Sequence, residues 1–207
     1  MVDYPPCRKA SWSEVDRWVG KLADSIERAD RRPDVIVALT RGGWVPARLL
    51  ADRLVIRRIL TIRTQHWGVT ATPSGQAELT EGLTTQLSGE KALVVDDITD
   101  TGESLELATH HVTEHGATQV ESATCLHILH SKVVPTYYAE TIGRDAWVWV
   151  IFPWTYWEDL RTLAGRAFDE VQDEVKATKV LKERCALDVP LAHVKRALAR
   201  RLDGTTE

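Results

Sequence analysis

Two unbroken apolar runs, each followed by a glycine-containing turn and a helical pattern, constrain the fold of this chain most strongly. The runs are "DVIVAL" at 34–39 and "ALVVDD" at 92–97. Strands buried on both faces show such runs, whereas half-exposed strands alternate. Strands that alternate with helices predict an α/β fold with a parallel sheet. In such sheets ligands bind beyond the carboxyl ends of the strands, where the turns 40–43 and 96–104 lie.

The rest of the chain supports the same class. Further strands are predicted at 56–64, 119–129 and 146–152, and helices at 11–29 and from Glu158 onward. The stretch 68–90 is polar, rich in Gly, Ser and Thr, and has no clear period. Long loops in compact domains are usually functional, and we expect this one to close over a site as a lid.

Composition narrows the function classes. The net charge of −4 over 207 residues argues against a general nucleic-acid or membrane-surface binder. No apolar run approaches the length of a membrane span, and the first residues lack the apolar core of a signal peptide. Cys7, Cys125 and Cys185 lie far apart without a CxxC pair, as in proteins with reduced thiols. We therefore expect a cytoplasmic protein with neither a membrane nor a nucleic acid as partner.

The stretch "VVDDITDTGESL" at 94–105 predicts the chemistry of the site. A glycine and hydroxyl turn that opens a helix presents backbone N–H groups to a phosphate, and the helix dipole favours the negative charge. The cradle is predicted at Thr101, Gly102, Glu103 and Ser104. The adjacent carboxylates of Asp96 and Asp97 suit the vicinal hydroxyls of a ribose, or a Mg²⁺ ion held partly through water. Together these features predict a site for a ribose 5-phosphate.

At these residues the chain resembles a family. "ALVVDDITDTGES" resembles the 5-phosphoribosyl 1-pyrophosphate (PRPP) signature of type I phosphoribosyltransferases. The segment 34–54 resembles the pyrophosphate loop of the purine members, particularly the xanthine-guanine and hypoxanthine enzymes of bacteria and archaea. "PTYYAE" and "WVWVIFPW" within 135–154 resemble their base-binding region.

The resemblance implies an overall organisation. It covers roughly residues 11–160 and implies a parallel sheet flanked by helices with a small hood region. The helical pattern from Glu158 onward adds a helical C-terminal extension that the resemblance does not cover. We expect residues 1–160 to form the phosphoribosyltransferase core with its base-binding hood, and 161–207 to form the extension. Family members usually self-associate, so a homo-oligomer, either a dimer or a tetramer, is implied.

The resemblance also assigns roles to the predicted site. Asp96 and Asp97 would bind the ribose hydroxyls, with or without Mg²⁺. The 5-phosphate would be bound by Asp100, Thr101, Gly102, Glu103 and Ser104, mainly through backbone N–H groups. The pyrophosphate would be bound by Thr40, Arg41, Gly42 and Gly43. In the family, the peptide bond matching Thr40–Arg41 is often cis.

Catalysis and base binding are implied in the same way. Asp100 would manage the proton at N7 of the purine, and Arg41 with Mg²⁺ would neutralise the leaving group. Trp149 would stack on the base, and the backbone of Val150 would contact its edge. The implied reaction transfers the phosphoribosyl group of PRPP to N9 of a 6-oxopurine (xanthine, hypoxanthine or guanine), giving the nucleoside monophosphate and pyrophosphate.

The base region departs from the family pattern. Purine members usually carry a lysine that donates to O6, and a gap-free alignment on "PTYY" places Ile128 there. Lys132 lies four residues later, so either a local shift brings it to the base or the contact is absent. His127 and His130 lie close to this region, where a structural role and a contact with the ligand are both open.

A second function stays open at this stage. A regulator on the same fold could bind PRPP or a nucleotide with little catalysis, and the basic C-terminal helix at 193–201 leaves room for it. Asp100, Arg41 and the acidic net charge favour the enzyme.

Other aromatic and histidine residues are expected to be structural. For Trp147, Trp154 and Trp157 we expect core or interface roles, and for His111 and His115 a solvated helix face.

Overall fold

The computed structural model describes residues 4–66 and 77–200, and the chain divides into two compact units. One unit is Trp12–Trp147, and the other combines Met1–Ser11 with Val148–Glu207. The boundary predicted at residue 160 lies inside a helix that spans Tyr156–Val171. As a division into separately folding domains, it stays a prediction.

The alternation of strands and helices predicted from the sequence is confirmed. In chain order the elements are β1 (Cys7–Lys9), α1 (Trp12–Arg28), β2 (Val35–Thr40), α2 (Trp44–Arg53), β3 (Ile59–His66), β4 (Ala77–Glu81), β5 (Lys91–Thr99), α3 (Glu103–Glu114), β6 (Gln119–Ile128), β7 (Tyr137–Ile142), β8 (Trp149–Ile151), α4 (Tyr156–Val171), α5 (Glu174–Cys185) and α6 (Leu191–Leu198). Across the described residues no helix is both long and apolar enough to cross a membrane.

Two predictions of local structure were wrong. The stretch expected to be a loop at 68–90 contains strand β4, which pairs antiparallel with β3; its residues 68–76 lie outside the described residues. The strand predicted at 146–152 shortens to β8, because residues Arg144–Ala146 form a 3₁₀ turn.

The larger unit contains one six-stranded sheet in the order β4-β3-β2-β5-β6-β7. Every pairing except β3 with β4 is parallel, so the predicted parallel sheet is confirmed with one antiparallel edge strand. Strands β2 and β5 are central neighbours and are covered on both faces. Their unbroken apolar runs follow from this position, since each residue meets the core on one side or the other.

Helices cover both faces of this sheet. On one face Leu105, Ala108 and Val112 of α3 share a core cluster with Val35 and Val37 of β2. Helices α1 and α2 pack on each other. Helix α1 also packs against β6 and β7, and α2 packs against β2 and β5. Successive side chains of a strand point to opposite faces of the sheet. The buried residues that alternate with those facing α3 therefore lie on the second face.

The smaller unit is built around its own core. Strand β1 pairs parallel with β8, with Cys7 opposite Trp149, and the three helices α4, α5 and α6 share buried side chains with both strands. The basic helix α6 packs on α4, because the Tyr156 hydroxyl lies 2.8 Å from His193 Nδ1 and the Arg196 guanidinium lies 4.9 Å from the centre of the Trp157 ring. The structure thus shows a helix-pair contact for this basic segment.

A histidine on α3 fixes the chain between β4 and β5. The backbone N–H of Leu83 donates to His111 Nε2 at 2.9 Å. A Cβ atom on Gly82 would lie 2.8 Å from the same ring, so the backbone is close against it. The expectation of a solvated face was therefore wrong for His111. Its burial, and then the neighbouring His115, lower the pKa of this histidine.

We expect this link to weaken as the pH falls. Because the pKa of His111 is lower in the folded protein than in the unfolded chain, the unfolded chain binds more protons between the two values. The stabilisation is complete above the unfolded pKa of about 6.5 and is lost as the pH falls below it. Hydrogen exchange of the Leu83 amide, corrected for its intrinsic rate, should speed up between about pH 7.5 and about pH 5.5.

The control for this prediction is His111→Gln, which keeps an acceptor and removes the titration. Its Leu83 amide should be protected to the same degree at both pH values. Equal protection of Leu83 at both pH values in the unmodified protein would contradict the prediction.

Candidate active site

The two turns predicted to bind ligand lie side by side. Strands β2 and β5 pair in parallel, with Val35 opposite Ala92 and Ala38 opposite Val95. Both strands therefore end at the same edge of the sheet, where the turns 40–43 and 96–104 follow. The Thr40 hydroxyl donates to the carbonyl oxygen of Ile62 at 3.0 Å, and the peptide bond after Thr40 is cis, as the resemblance implied.

The first turn needs its two glycines, because its backbone lies directly on the end of β5. A Cβ atom on Gly42 would lie 2.7 Å from both Cγ and Oδ1 of Asp97. On Gly43 a Cβ would lie 2.8 Å from Asp96 Cα and 2.8 Å from the carbonyl oxygen of Leu39, and closer still to that of Val95. This packing puts the two turns in contact through their backbones.

The paired acids differ in their surroundings. The backbone N–H of Asp97 donates to Asp96 Oδ1 at 2.9 Å, and Asp97 itself is buried. Burial, and then the neighbouring Asp97 carboxylate, raise the pKa of Asp96 well above its usual value. Two negative charges are therefore unfavourable here without a ligand. Hydroxyl donors or a cation would favour the doubly ionised pair.

The second turn presents the start of helix α3. Gly102 precedes the helix with φ of 91°, a left-handed conformation that glycine adopts without strain. The N–H of Glu103 lies 3.4 Å from the Thr101 hydroxyl, and the N–H of Glu106 makes the first intrahelical bond, to Gly102. The amide groups of a first turn have no acceptor within their own helix, which makes this end suitable for an anion.

Asp100 contacts two side chains that sequence reasoning did not place there. Its Oδ1 lies 2.6 Å from His130 Nε2, and its Oδ2 accepts from Trp147 Nε1 at 3.5 Å. The strand pairing accounts for this contact: β5 and β6 pair in parallel, with Thr99 opposite His127. Residues just beyond these two strand ends must therefore be close.

The residues considered for the O6 contact lie in different environments. Ile128, at the position of the family lysine, is 1% exposed and belongs to the core. Lys132 is exposed, and its backbone N–H donates to the carbonyl oxygen of Thr101 at 3.2 Å. A contact between its side chain and a base stays a prediction. His127 is buried, and its Nδ1 has no hydrogen-bond partner among the described residues.

Trp149 and Val150 belong to the smaller unit. The indole N–H of Trp149 donates to Asp159 Oδ1 at 3.1 Å, and its backbone N–H donates to the carbonyl oxygen of Pro6 at 2.8 Å. Burial raises the pKa of Asp159. Val150 is buried in β8 opposite Arg8. Trp149 is thus held through both its indole and its backbone, while its role in stacking on a base stays a prediction.

Similarity to known proteins identifies the family of this chain. The family described as phosphoribosyl transferase domain matches residues 9–158, which is more than half of the chain. The chain belongs to the phosphoribosyltransferase family. This phosphoribosyltransferase is 31% identical over 156 residues to a xanthine-guanine phosphoribosyltransferase of Cereibacter sphaeroides, a match that covers 70% of the chain and 84% of the relative.

Solved structures agree with this assignment. The crystal structure of a purine phosphoribosyltransferase from Pyrococcus horikoshii matches with a TM-score of 0.62 and 28% identity, over 72% of this chain and 93% of that one. A xanthine-guanine-hypoxanthine phosphoribosyltransferase of Helicobacter pylori has the same fold, with a TM-score of 0.61 and 20% identity over 78% of this chain and 99% of that one. The predicted fold and family are confirmed.

The glycine packing generates a prediction. Gly43→Ala should destabilise this phosphoribosyltransferase by about 2–3 kcal/mol, because the new methyl group meets backbone atoms that cannot move aside. Thermal unfolding measures the change.

Gly20→Ala is the matched control. Its Cβ would meet only the end of the Arg53 side chain at 3.9 Å, so we expect a gain of about 0.5–1 kcal/mol from the higher helix propensity of alanine. Similar melting temperatures for the two variants would show that the backbone contact at Gly43 is not tight.

Proposed function

We propose that this protein transfers the 5-phosphoribosyl group of PRPP to N9 of a 6-oxopurine, namely xanthine, hypoxanthine or guanine, with release of pyrophosphate. The observation that supports it most is the contact between the turns 40–43 and 96–104. It combines a glycine-rich turn, two adjacent carboxylates and a helix N-terminus at one edge of the sheet. The purine activities named for the relatives support the choice of base.

Each group of PRPP has a proposed binding site. The backbone N–H groups of 101–104 bind the 5-phosphate, and the carboxylates of Asp96 and Asp97 accept hydrogen bonds from the ribose hydroxyls. The turn 40–43 binds the pyrophosphate, and the Arg41 side chain supplies positive charge there. The high pKa of Asp96 fits this role, because a ligand that donates hydrogen bonds favours the ionised acid.

The reaction follows from these positions. The bond from C1 of the ribose to pyrophosphate breaks and its electron pair leaves with the pyrophosphate, while N9 of the purine forms the new bond to C1. Positive charge develops on the ribose ring, and the acids near the hydroxyls stabilise it. Asp100 accepts the proton from N7 of the purine, and such a transfer contributes about 10²–10⁴-fold to the rate.

The donor set also fits the magnesium ion that this family generally uses. Carboxylate oxygens suit Mg²⁺, which binds few protein groups and keeps several waters. The described residues contain no cluster of three or more His, Cys, Asp or Glu side chains that could bind a metal. Asp96 and Asp97 would therefore contact the ion only together with oxygens of PRPP and water. A bound Mg²⁺ neutralises charge on the leaving pyrophosphate.

The remaining proposals concern the base, the assembly and the location. Trp149 stacks on the purine, the Val150 backbone contacts its edge, and Lys132 is a candidate for O6. A homo-oligomer is proposed from the tryptophan-rich composition, since tryptophan is enriched at interfaces. The free, buried cysteines fit a reducing cytoplasm.

A product assay tests the function directly. Mg-PRPP incubated separately with xanthine, hypoxanthine, guanine and adenine should give a nucleoside monophosphate and pyrophosphate with at least one 6-oxopurine. Saturable PRPP binding without turnover of any base would favour a regulatory protein. The absence of any PRPP binding would refute both functions.

A substitution tests the proposed base. Asp100→Asn should lower kcat by about 10²-fold or more, because the amide cannot accept the N7 proton, while the KM for PRPP changes by less than about threefold. Steady-state kinetics at saturating purine measures both values.

The matched control is Asp52→Asn on helix α2. This exposed acid pairs with Arg48 at 3.6 Å, outside the proposed site. Its kcat should equal that of the unmodified protein, and an unchanged kcat in Asp100→Asn would remove Asp100 from the mechanism.

A further inference from the structure

The hydrogen bond between Asp100 and His130 is not explained by the roles proposed so far. At 2.6 Å from His130 Nε2 to Asp100 Oδ1, it is at the short end for a nitrogen donor and a carboxylate. The two side chains are 40% and 32% exposed, so a ligand can reach them. Trp147 approaches the other oxygen at the longer distance of 3.5 Å.

The turn 129–133, which carries His130, is held by the turn 101–104, the proposed phosphate site. The backbone N–H of Lys132 donates to the carbonyl oxygen of Thr101 at 3.2 Å. A Cβ atom on Gly102 would lie 2.7 Å from the Cβ of Val133, so the backbone of Gly102 lies close against the Val133 side chain. The imidazole therefore approaches the carboxylate from a backbone that has little freedom to shift.

No other basic side chain bonds to this carboxylate within the described residues. The partners of Asp100 there are His130 and Trp147. The position where purine members usually carry a lysine holds Ile128, which is buried in β6. The lysine nearest in sequence to Ile128 is Lys132, and its backbone N–H donates to the carbonyl oxygen of Thr101. His130 is thus the basic group in contact with the proposed proton acceptor.

We propose that His130 is a positioning residue for proton transfer at the purine base and acts through Asp100. The inference rests on the proposed phosphoribosyl transfer. The imidazole N–H donates to Oδ1, which fixes the rotation of the carboxylate. The N7 proton passes to the carboxylate as N9 bonds to C1 and the pyrophosphate leaves with the electron pair of the broken bond.

Paired substitutions test this role. His130→Leu removes the donor, and His130→Gln keeps an N–H group at about the same reach as Nε2. We expect kcat for the purine to fall about tenfold or more in His130→Leu and to stay within about threefold of the unmodified value in His130→Gln. The KM for PRPP and the thermal shift on adding Mg-PRPP should change by less than about twofold in both variants.

His110→Leu and His110→Gln are the matched controls. His110 also pairs with a carboxylate, Glu114 at 3.3 Å, but lies on the exposed side of α3. Both variants should show the kcat of the unmodified protein.

A double-mutant cycle tests whether the effect passes through Asp100. In an Asp100→Asn background, His130→Leu should lower kcat by less than about twofold further, because the residue acts through Asp100.

Three results would overturn the proposal. One is full kcat in His130→Leu. Another is an equal loss in His130→Gln and His130→Leu with weaker PRPP binding, since that indicates a structural role. The third is an additive loss in the double variant. Each of these requires an active unmodified protein; if that protein turns over no purine, the proposed function fails first and this inference falls with it.

Discussion

The close backbone contact between the first turn and the end of β5 is the constraint on which the site depends. Strands β2 and β5 pair in register, so the two chains leave the sheet at the same level. The turn can lie on the acids because neither Gly42 nor Gly43 carries a Cβ. A bulkier residue would separate the turn that supplies Arg41 from the acids, and the positive and negative groups would no longer meet at one edge.

This contact also explains the electrostatics. The pKa of Asp96 is raised because this residue is partly buried and lies beside Asp97. Without a ligand the pair resists a second negative charge, and hydroxyl donors or a cation reverse that preference. Packing, and not only the presence of two acids, therefore makes the doubly ionised pair depend on hydroxyl donors or a cation.

The sequence predicts the parts of the fold whose signal is local. The central strands β2 and β5 are recognisable because burial on both faces requires unbroken apolar runs, and the turns are recognisable from their glycines, hydroxyls and acids. Strand β4 was missed because it is an edge strand with mostly polar residues, "AELTE". Strand β1 has three residues, too few for a period, and is specified by its pairing with β8.

Contacts between distant residues could not be predicted in this way. His130 and Trp147 reach Asp100 across 30 and 47 residues of chain. Their approach depends on the strand order and on the register of β6 against β5, which no periodicity encodes. The family resemblance did not help, because it assigns the base contact to a lysine position that here holds Ile128.

The burial of Ile128 has a consequence for specificity. A side chain that is 1% exposed and apolar cannot donate to O6 of a purine. Discrimination between a 6-oxo and a 6-amino group therefore falls to other groups, and sites that hydrogen-bond a substrate reject analogues lacking that bond more strongly than apolar pockets do. Since His130 of the turn 129–133 bonds to Asp100, we expect base preference to depend on that turn more than on strand β6.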